Sequence, residues 1–201
     1  MKRKIILASK SKSRRKLLKS LGFNFETEKS NYNEDMSEKL PIHKLAQKLA
    51  IGKAQAVAQK HKNAIIIGAD TFGIIDKKLI GQARTSEEAK KILKLISGRK
   101  HKLITGIAII DTQNNKIISD YDISEVWIKK LSQKEIDSYV KTGEPLFKAP
   151  AYTIEGLGSV FIEKINGSDT AIIGLPMNKI YKHLLKLKVN LLEKPYSNNC
   201  S

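Results

Sequence analysis

Ala64-Ile65-Ile66-Ile67-Gly68-Ala69-Asp70 is the stretch on which the fold turns. Four apolar residues in succession, three of them β-branched, suit a strand buried on both faces; a half-exposed strand would alternate apolar with polar side chains. Such a strand needs helices above and below it, and this one ends on a carboxylate. Open α/β sheets bind ligands beyond the carboxyl ends of their strands, which puts Asp70 where chemistry is done. Capping the following turn is the other role open to an aspartate at that place.

The neighbouring segments agree with that reading. Lys4–Ala8 reads as a strand that passes through a Ser-rich turn into a helix around Arg14–Leu21, stopped by Gly22. Asn24–Glu28 is a second extended segment and Lys29–Lys39 a polar loop, after which a long helix begins near Pro41. Phe72–Ile80 is hairpin-like, and the capping box Thr85-Ser86-Glu87-Glu88 opens a helix that Ser97-Gly98 ends. Lys102–Asp111 and Lys116–Lys130, joined by Thr112–Asn115, pair as an antiparallel hairpin. A second capping box, Ser132 with Glu135, opens a helix ended by Gly143; a strand at Ser159–Ile165 and a helix from Pro176 follow. With neither repeats nor a low-complexity linker, the pattern predicts an α/β fold with a two-lobed mixed β-sheet flanked by helices. Residues 1–192 are expected to form one domain with two lobes and a central cleft, and 193–201 a polar tail.

At 201 residues, 41% of them hydrophobic, the chain is long enough to bury a sizeable core. Its apolar runs are shorter than the ~18 residues that a bilayer requires, and Ile5-Ile6-Leu7-Ala8 is shorter than a signal-peptide core, so no membrane partner and a cytoplasmic location are expected. One cysteine, Cys200, excludes an intrachain disulfide and a cysteine-rich zinc site. Thirty-seven Lys and Arg against twenty Asp and Glu give +17, a field that attracts polyanions, although an excess of solvated surface lysine gives the same sum. Aromatic residues are 6% and show no interleaving with basic ones, so nucleic acid is not an expected partner.

Two features point to phosphate. Ser9, Ser11, Ser13, Arg14 and Arg15 lie between the first strand and the first helix, where amides, hydroxyls and guanidinium groups converge on an anion, or where hydroxyls merely cap the helix. In the long helix, Lys53 interrupts the apolar stripe Ile42, Leu45, Ala46, Leu49, Ala56, Val57, standing four residues after Leu49 and four before Val57. Its ammonium either snorkels to the protein edge or is aimed at an anion. The loop carboxylates Glu34, Asp35 and Asp70 supply the hard oxygen donors that magnesium-assisted phosphoryl chemistry uses. His43, His61, His101 and His183 show no metal-ligand spacing, and no nucleophile elbow occurs.

Taken in order, Leu7-Ala8-Ser9-x-Ser11-x-x-Arg14, Ile67-Gly68-Ala69-Asp70-Thr71, Ile96-Ser97-Gly98 with His101 and Thr105-Gly106, Gly143-Glu144-Pro145 and Gly174-Leu175-Pro176 resemble the Maf family over nearly the whole chain. The resemblance implies a nucleoside triphosphate pyrophosphatase that cleaves between the α and β phosphates, uses Mg2+ or Mn2+, and shares the architecture of the inosine-triphosphate pyrophosphatases. It further implies a homodimer, a role in cleansing the nucleotide pool, and a link to septum formation and cell division. Carried over, Asp70, Glu34 and Lys53 are the catalytic set, with Glu34 and Asp70 holding the metal. Ser9, Ser11, Ser13, Arg14, Arg15, Thr71, Gln82 and Glu155 would contact the nucleoside triphosphate.

The chain departs from the family pattern in places. Gly81-Gln82-Ala83 stands where the family has Gly-Lys-Pro, so Gln82 replaces a substrate-contacting lysine, with Arg84 and Lys78 as nearby cations. The thymidine/uridine branch has two arginines where this chain has Ser13 before Arg14-Arg15, Asp-Lys-Ala-Gly where it has Phe147-Lys148-Ala149-Pro150, and Gln-Gly where it has Glu155-Gly156. Glu155 and the arginine pattern look like the branch acting on methylated guanosine triphosphate, Thr71 like the thymidine/uridine branch. An ionised Glu155 accepts from a guanine edge and cannot donate to a pyrimidine carbonyl, a lean away from strict thymidine/uridine specificity. The competing function is a catalytically impaired nucleotide- or nucleic-acid-binding regulator of cell division, disabled at Gln82.

Overall fold

A computed structural model describes residues 3–22, 24–35 and 38–193. Beyond Glu193, the tail expected at 193–201 lies outside the described residues. The elements are β1 (Lys4–Ala8), α1 (Lys12–Ser20), β2 (Glu26–Glu28), α2 (Ile42–Ala58), β3 (Ala64–Ile75), β4 (Lys78–Ile80), α3 (Ser86–Ile96), β5 (Lys100–Asp111), β6 (Lys116–Ile128), α4 (Gln133–Lys141), β7 (Ile162–Asn166), α5 (Asp169–Ile173) and α6 (Met177–Lys186). Seven strands form a sheet in the order β2-β1-β3-β5-β6-β7, with β4 paired to β3. β1 runs parallel to β2 and β3, while β3–β4 and β6–β7 are antiparallel, so the sheet is mixed as expected. β5 and β6 are neighbours joined by four residues, a connection only an antiparallel pair allows. The chain divides into two compact units, Met1–Asp70, Thr105–Tyr121 and Gly174–Ser201 in the first, Thr71–Ile104 and Asp122–Ile173 in the second.

In the first unit, strand periodicity explains the unbroken apolar run. Ile5, Leu7, Ile65, Ile67, Ala69, Ile107 and Ile109 pack with Leu18 of α1 and Ile180 and Leu184 of α6. Their alternates Ile6, Ala8, Ala64, Ile66, Ala108 and Ile110 pack with Ala50, Ala54 and Val57 of α2. Both faces are therefore covered, and no position in 64–67 is left for a polar residue. α2 lies close over the strands: a Cβ on Gly68 would collide with the Ala50 carbonyl, and one on Gly106 with the Ala46 carbonyl. The helix stripe accordingly runs through Leu45, Ala46, Leu49, Ala50, Ala54 and Val57, leaving Ile42 and Ala56 only half-buried.

In the second unit, α3 and α4 bury Leu93, Ile96, Ile136, Tyr139 and Val140 against Ile75, Leu103, Val126 and Ile128. Asp76 and Lys77, with φ of +49° and +64°, make the tight β3–β4 turn. Ser132 and Glu135 form the full capping box of α4. At α3, Thr85 caps Glu88, whereas the Glu88 carboxylate accepts from Arg84 N–H, one residue before the cap.

Two strand expectations are corrected. The decisive strand does not end on Asp70: β3 runs on to Ile75, because Gly73–Ile75 pair with Lys78–Ile80 of β4. The strand expected at Ser159–Ile165 begins later. Residues Leu157–Phe161 form a 3-10 turn and the strand begins at Ile162. The reason is distant in sequence: the Glu144 carboxylate accepts from both Leu157 N–H and Gly158 N–H, which winds the backbone there. The short helix α5 had no expectation attached to it. No helix among the described residues is long and apolar enough to cross a membrane.

Candidate active site

The β1–α1 connection is built by its hydroxyls. Ser11 is the N-cap of α1, its Oγ accepting from Arg14 N–H at 3.3 Å, and Ser9 Oγ accepts from Ser11 N–H at 3.1 Å. The capping role is therefore real, but it also aims Arg14. That guanidinium donates through Nη1 to Ala69 O (3.0 Å) and Ser9 Oγ (3.4 Å), and through Nε to Gly174 O (2.9 Å). One arginine thus ties the Ser-rich loop to the end of the decisive β3 run and to the Gly174-Leu175-Pro176 motif. Burial pulls its pKa below the usual value, and the Asp70 and Glu34 carboxylates act in the opposite sense.

Lys53 reaches from α2 to the same place. Its ammonium pairs with Asp70 Oδ1 and, at 2.9 Å, with Glu34 Oε1. The Lys53 and Asp70 side chains are 14% and 12% exposed against 47% for Glu34, so this lysine is aimed at anions and does not snorkel outward. Glu34 arrives on a polar loop with no regular structure, and Tyr32 anchors it. The Tyr32 ring lies against Gly52, where a Cβ would collide with it, one residue from Lys53. A glycine inside a helix costs about 1 kcal/mol against alanine, and here it makes the seat for that ring.

Six of the expected residues, Ser9, Ser11, Arg14, Glu34, Lys53 and Asp70, are thus brought together in the first unit. Ser13 and Arg15 sit on the first turn of α1, with Arg15 exposed. Thr71 follows Asp70 in β3 and, with Gln82 and Glu155, belongs to the second unit, where Gln82 is exposed and Glu155 half-buried. Sequence reasoning missed the Tyr32–Gly52 contact, which had no signal, and the Arg14 clamp on Gly174, whose signal was the Gly-Leu-Pro motif. Among the described residues no group of three or more His, Cys, Asp or Glu converges. Two carboxylates sharing one ammonium nevertheless suit Mg2+ or Mn2+, which commonly take one or two carboxylates and complete their shell with phosphate oxygens and water.

Fold and site define a mixed α/β protein in which cations and carboxylates gather around Asp70, in the middle of β3 and three residues beyond the Leu7–Ile67 pairing with β1. The chain belongs to the Maf family, matching the Maf-like protein family over residues 4–187. It is 45% identical over 179 residues to the dTTP/UTP pyrophosphatase of Thermoanaerobacter sp. (strain X514), covering 89% of this chain and 93% of that one. It is 40% identical over 196 residues to the dTTP/UTP pyrophosphatase of Methanosarcina barkeri (strain Fusaro / DSM 804), covering 97% and 100%. The solved structure of the Staphylococcus aureus Ham1 protein shares the fold, with a TM-score of 0.54 at 13% identity over 92% of this chain and 100% of that one.

Proposed function

We propose that the protein is a nucleoside triphosphate pyrophosphatase, hydrolysing the α–β phosphate anhydride of dTTP and UTP to a nucleoside monophosphate and pyrophosphate. The observation that carries this reading is the Glu34–Lys53–Asp70 cluster beside the Arg14-organised loop. An ammonium held between carboxylates is already placed where a polyanion will need charge compensation, so little reorganisation is required when substrate arrives. Water attacks the α-phosphorus, the bond to the bridging oxygen breaks, and pyrophosphate leaves. Asp70 orients that water and accepts its proton, Lys53 offsets charge on the leaving group, and Arg14 and the Ser9 and Ser11 hydroxyls hold phosphate oxygens. Glu34 and Asp70 would hold a divalent metal, which supplies Lewis-acid neutralisation of phosphate charge. Little else is asked of the protein in phosphoryl chemistry.

The names of the relatives favour dTTP and UTP over a methylated guanosine nucleotide, against the lean drawn from Glu155. Thymine and uracil share an N3–H donor that cytosine lacks, and an ionised Glu155 accepts from it. A carboxylate at 155 is therefore compatible with that pair of bases. A homodimer, a cytoplasmic location and a part in nucleotide-pool cleansing linked to cell division belong to the same proposal. The test is incubation with Mg2+ or Mn2+ and a panel of canonical and modified triphosphates. Equimolar pyrophosphate and monophosphate from dTTP and UTP is expected; folded protein that releases neither would bring forward the impaired regulator, with Gln82 as the disabling change.

A further inference from the structure

Glu144 lies in the second unit, outside the catalytic cluster, yet its carboxylate is more fully engaged than any surface acid needs to be. Oε1 accepts from the Tyr139 hydroxyl at 2.8 Å and from Gly158 N–H at 2.9 Å, and Oε2 accepts from Leu157 N–H at 2.9 Å. The donors come from two places, the end of α4 and the segment before β7, so one side chain joins α4 to a stretch of irregular backbone. Tyr139 is held in turn by its edge-on contact with Phe161, ring centroids 5.1 Å apart. The fit is tight from the loop side as well: a Cβ on Gly156 would collide with the Glu144 carboxylate, and a Cβ on Gly158 with the Tyr139 hydroxyl and the Thr153 backbone. Burial raises the Glu144 pKa, but the bonds from Gly158, Leu157 and Tyr139 outweigh it and hold the group below its usual value.

The segment so held is Thr153–Gly158, and Glu155 is in its middle. Glu155 N–H is fixed at the near end by Thr153 Oγ1, 3.3 Å away, and Glu144 fixes the far end two residues on. From this bracketing we infer that Glu144 is a positioning residue for base selection: it sets the backbone from which Glu155 reads the base, without touching substrate itself. The inference rests on the proposed function, in which Glu155 accepts from the pyrimidine N3–H. A hydrogen bond that discriminates between bases depends on placement to within a few tenths of an ångström, and an irregular loop supplies that only when its amides are tied down.

Two variants test this from opposite sides. Glu144→Gln keeps size but replaces one acceptor oxygen with an NH2 that must face an N–H or O–H donor. Gly156→Ala keeps the carboxylate and pushes it off its donors. In each, the ratio of kcat/KM for UTP over CTP is expected to fall about tenfold, with kcat on UTP within about threefold of the parent. Amide hydrogen exchange at Glu155, Leu157 and Gly158 should quicken by about tenfold or more. A merely structural role would lower Tm and reduce kcat/KM for both nucleotides in parallel, leaving the ratio intact, and that result overturns the inference. Should the parent protein turn over no triphosphate, the proposed function fails on its own. Exchange at Glu155, read without substrate, then decides: unchanged exchange in both variants overturns the positioning role.

Discussion

Asp70 and Glu144 are both carboxylates drawn away from full solvent exposure, and they are satisfied in opposite ways. Asp70, with Glu34, is balanced by the Lys53 ammonium on a four-carbon stem. Glu144 is balanced by two backbone amides and a tyrosine hydroxyl whose positions the fold determines. An ion pair exchanges partners when a phosphate arrives, because the lysine can swing from a carboxylate to the newcomer at small cost. Backbone amides cannot be lent out. On the proposed mechanism the difference separates a carboxylate placed for reaction from one placed for architecture, and each of the following experiments either sharpens that division or breaks it.

The largest effect is expected at Asp70. Asp70→Asn keeps the shape and a hydrogen-bond acceptor for Lys53 but removes the proposed base, so kcat should fall about a thousandfold with Tm nearly unchanged. Parallel kinetics and thermal melts check this, and near-parent turnover would remove Asp70 from the mechanism.

Acid should damage the second unit through its stability. His101 is 2% exposed, with Nε2 2.9 Å from the Tyr152 hydroxyl, and burial pushes its pKa down to about 4. The unfolded chain then binds a proton near pH 6.5 that the folded chain refuses. Stability is therefore full above pH 6.5 and lost as pH falls towards 4, by on the order of 3 kcal/mol. Glu144, held below its usual range, adds a loss of the same sign as pH falls through the acid range. Denaturant titrations at pH 7 and pH 5 measure the loss, which His101→Phe should largely abolish.

Lys53→Ala should lower kcat/KM for UTP about a hundredfold, through weaker triphosphate binding and less charge compensation on the leaving group. Parent-like kinetics would reduce Lys53 to a structural counter-ion of Asp70. Gly52→Ala is the mildest. Its methyl group displaces Tyr32 and with it the loop bearing Glu34, so a fall in kcat/KM of about tenfold is expected. Steady-state kinetics on UTP read this directly, and an unchanged kcat/KM would show that Glu34 does not depend on the Tyr32 anchor.

How much of this was legible in the sequence follows the same division. The β3 run was readable because burial on both faces forces a local pattern, and Ser11, Ser132 and Gly143 announced helix ends within a few residues. Lys53 was visible as a charge out of place on an apolar stripe, though which way it pointed was not. Ser159–Phe161, the last three residues of the 3-10 turn, read as strand because the cause of the turn, Glu144, lies thirteen residues upstream of Leu157. Tyr32 on Gly52 left no trace, since the two meet only when the fold is complete. Arg14 stood out as a candidate phosphate contact, but its clamp on Ala69 and Gly174, the latter 160 residues away, was not legible. Periodicity and capping are local in sequence; the contacts that aim these functional groups are not.

The central claim is that the Asp70 cluster directs water to the α-phosphorus of a nucleoside triphosphate. Hydrolysis of UTP in 18O-enriched water, followed by mass spectrometry of both products, tests it most directly. The expected result is one 18O in the uridine monophosphate and none in the pyrophosphate. Label in the pyrophosphate, or orthophosphate and uridine diphosphate as products, would contradict the account.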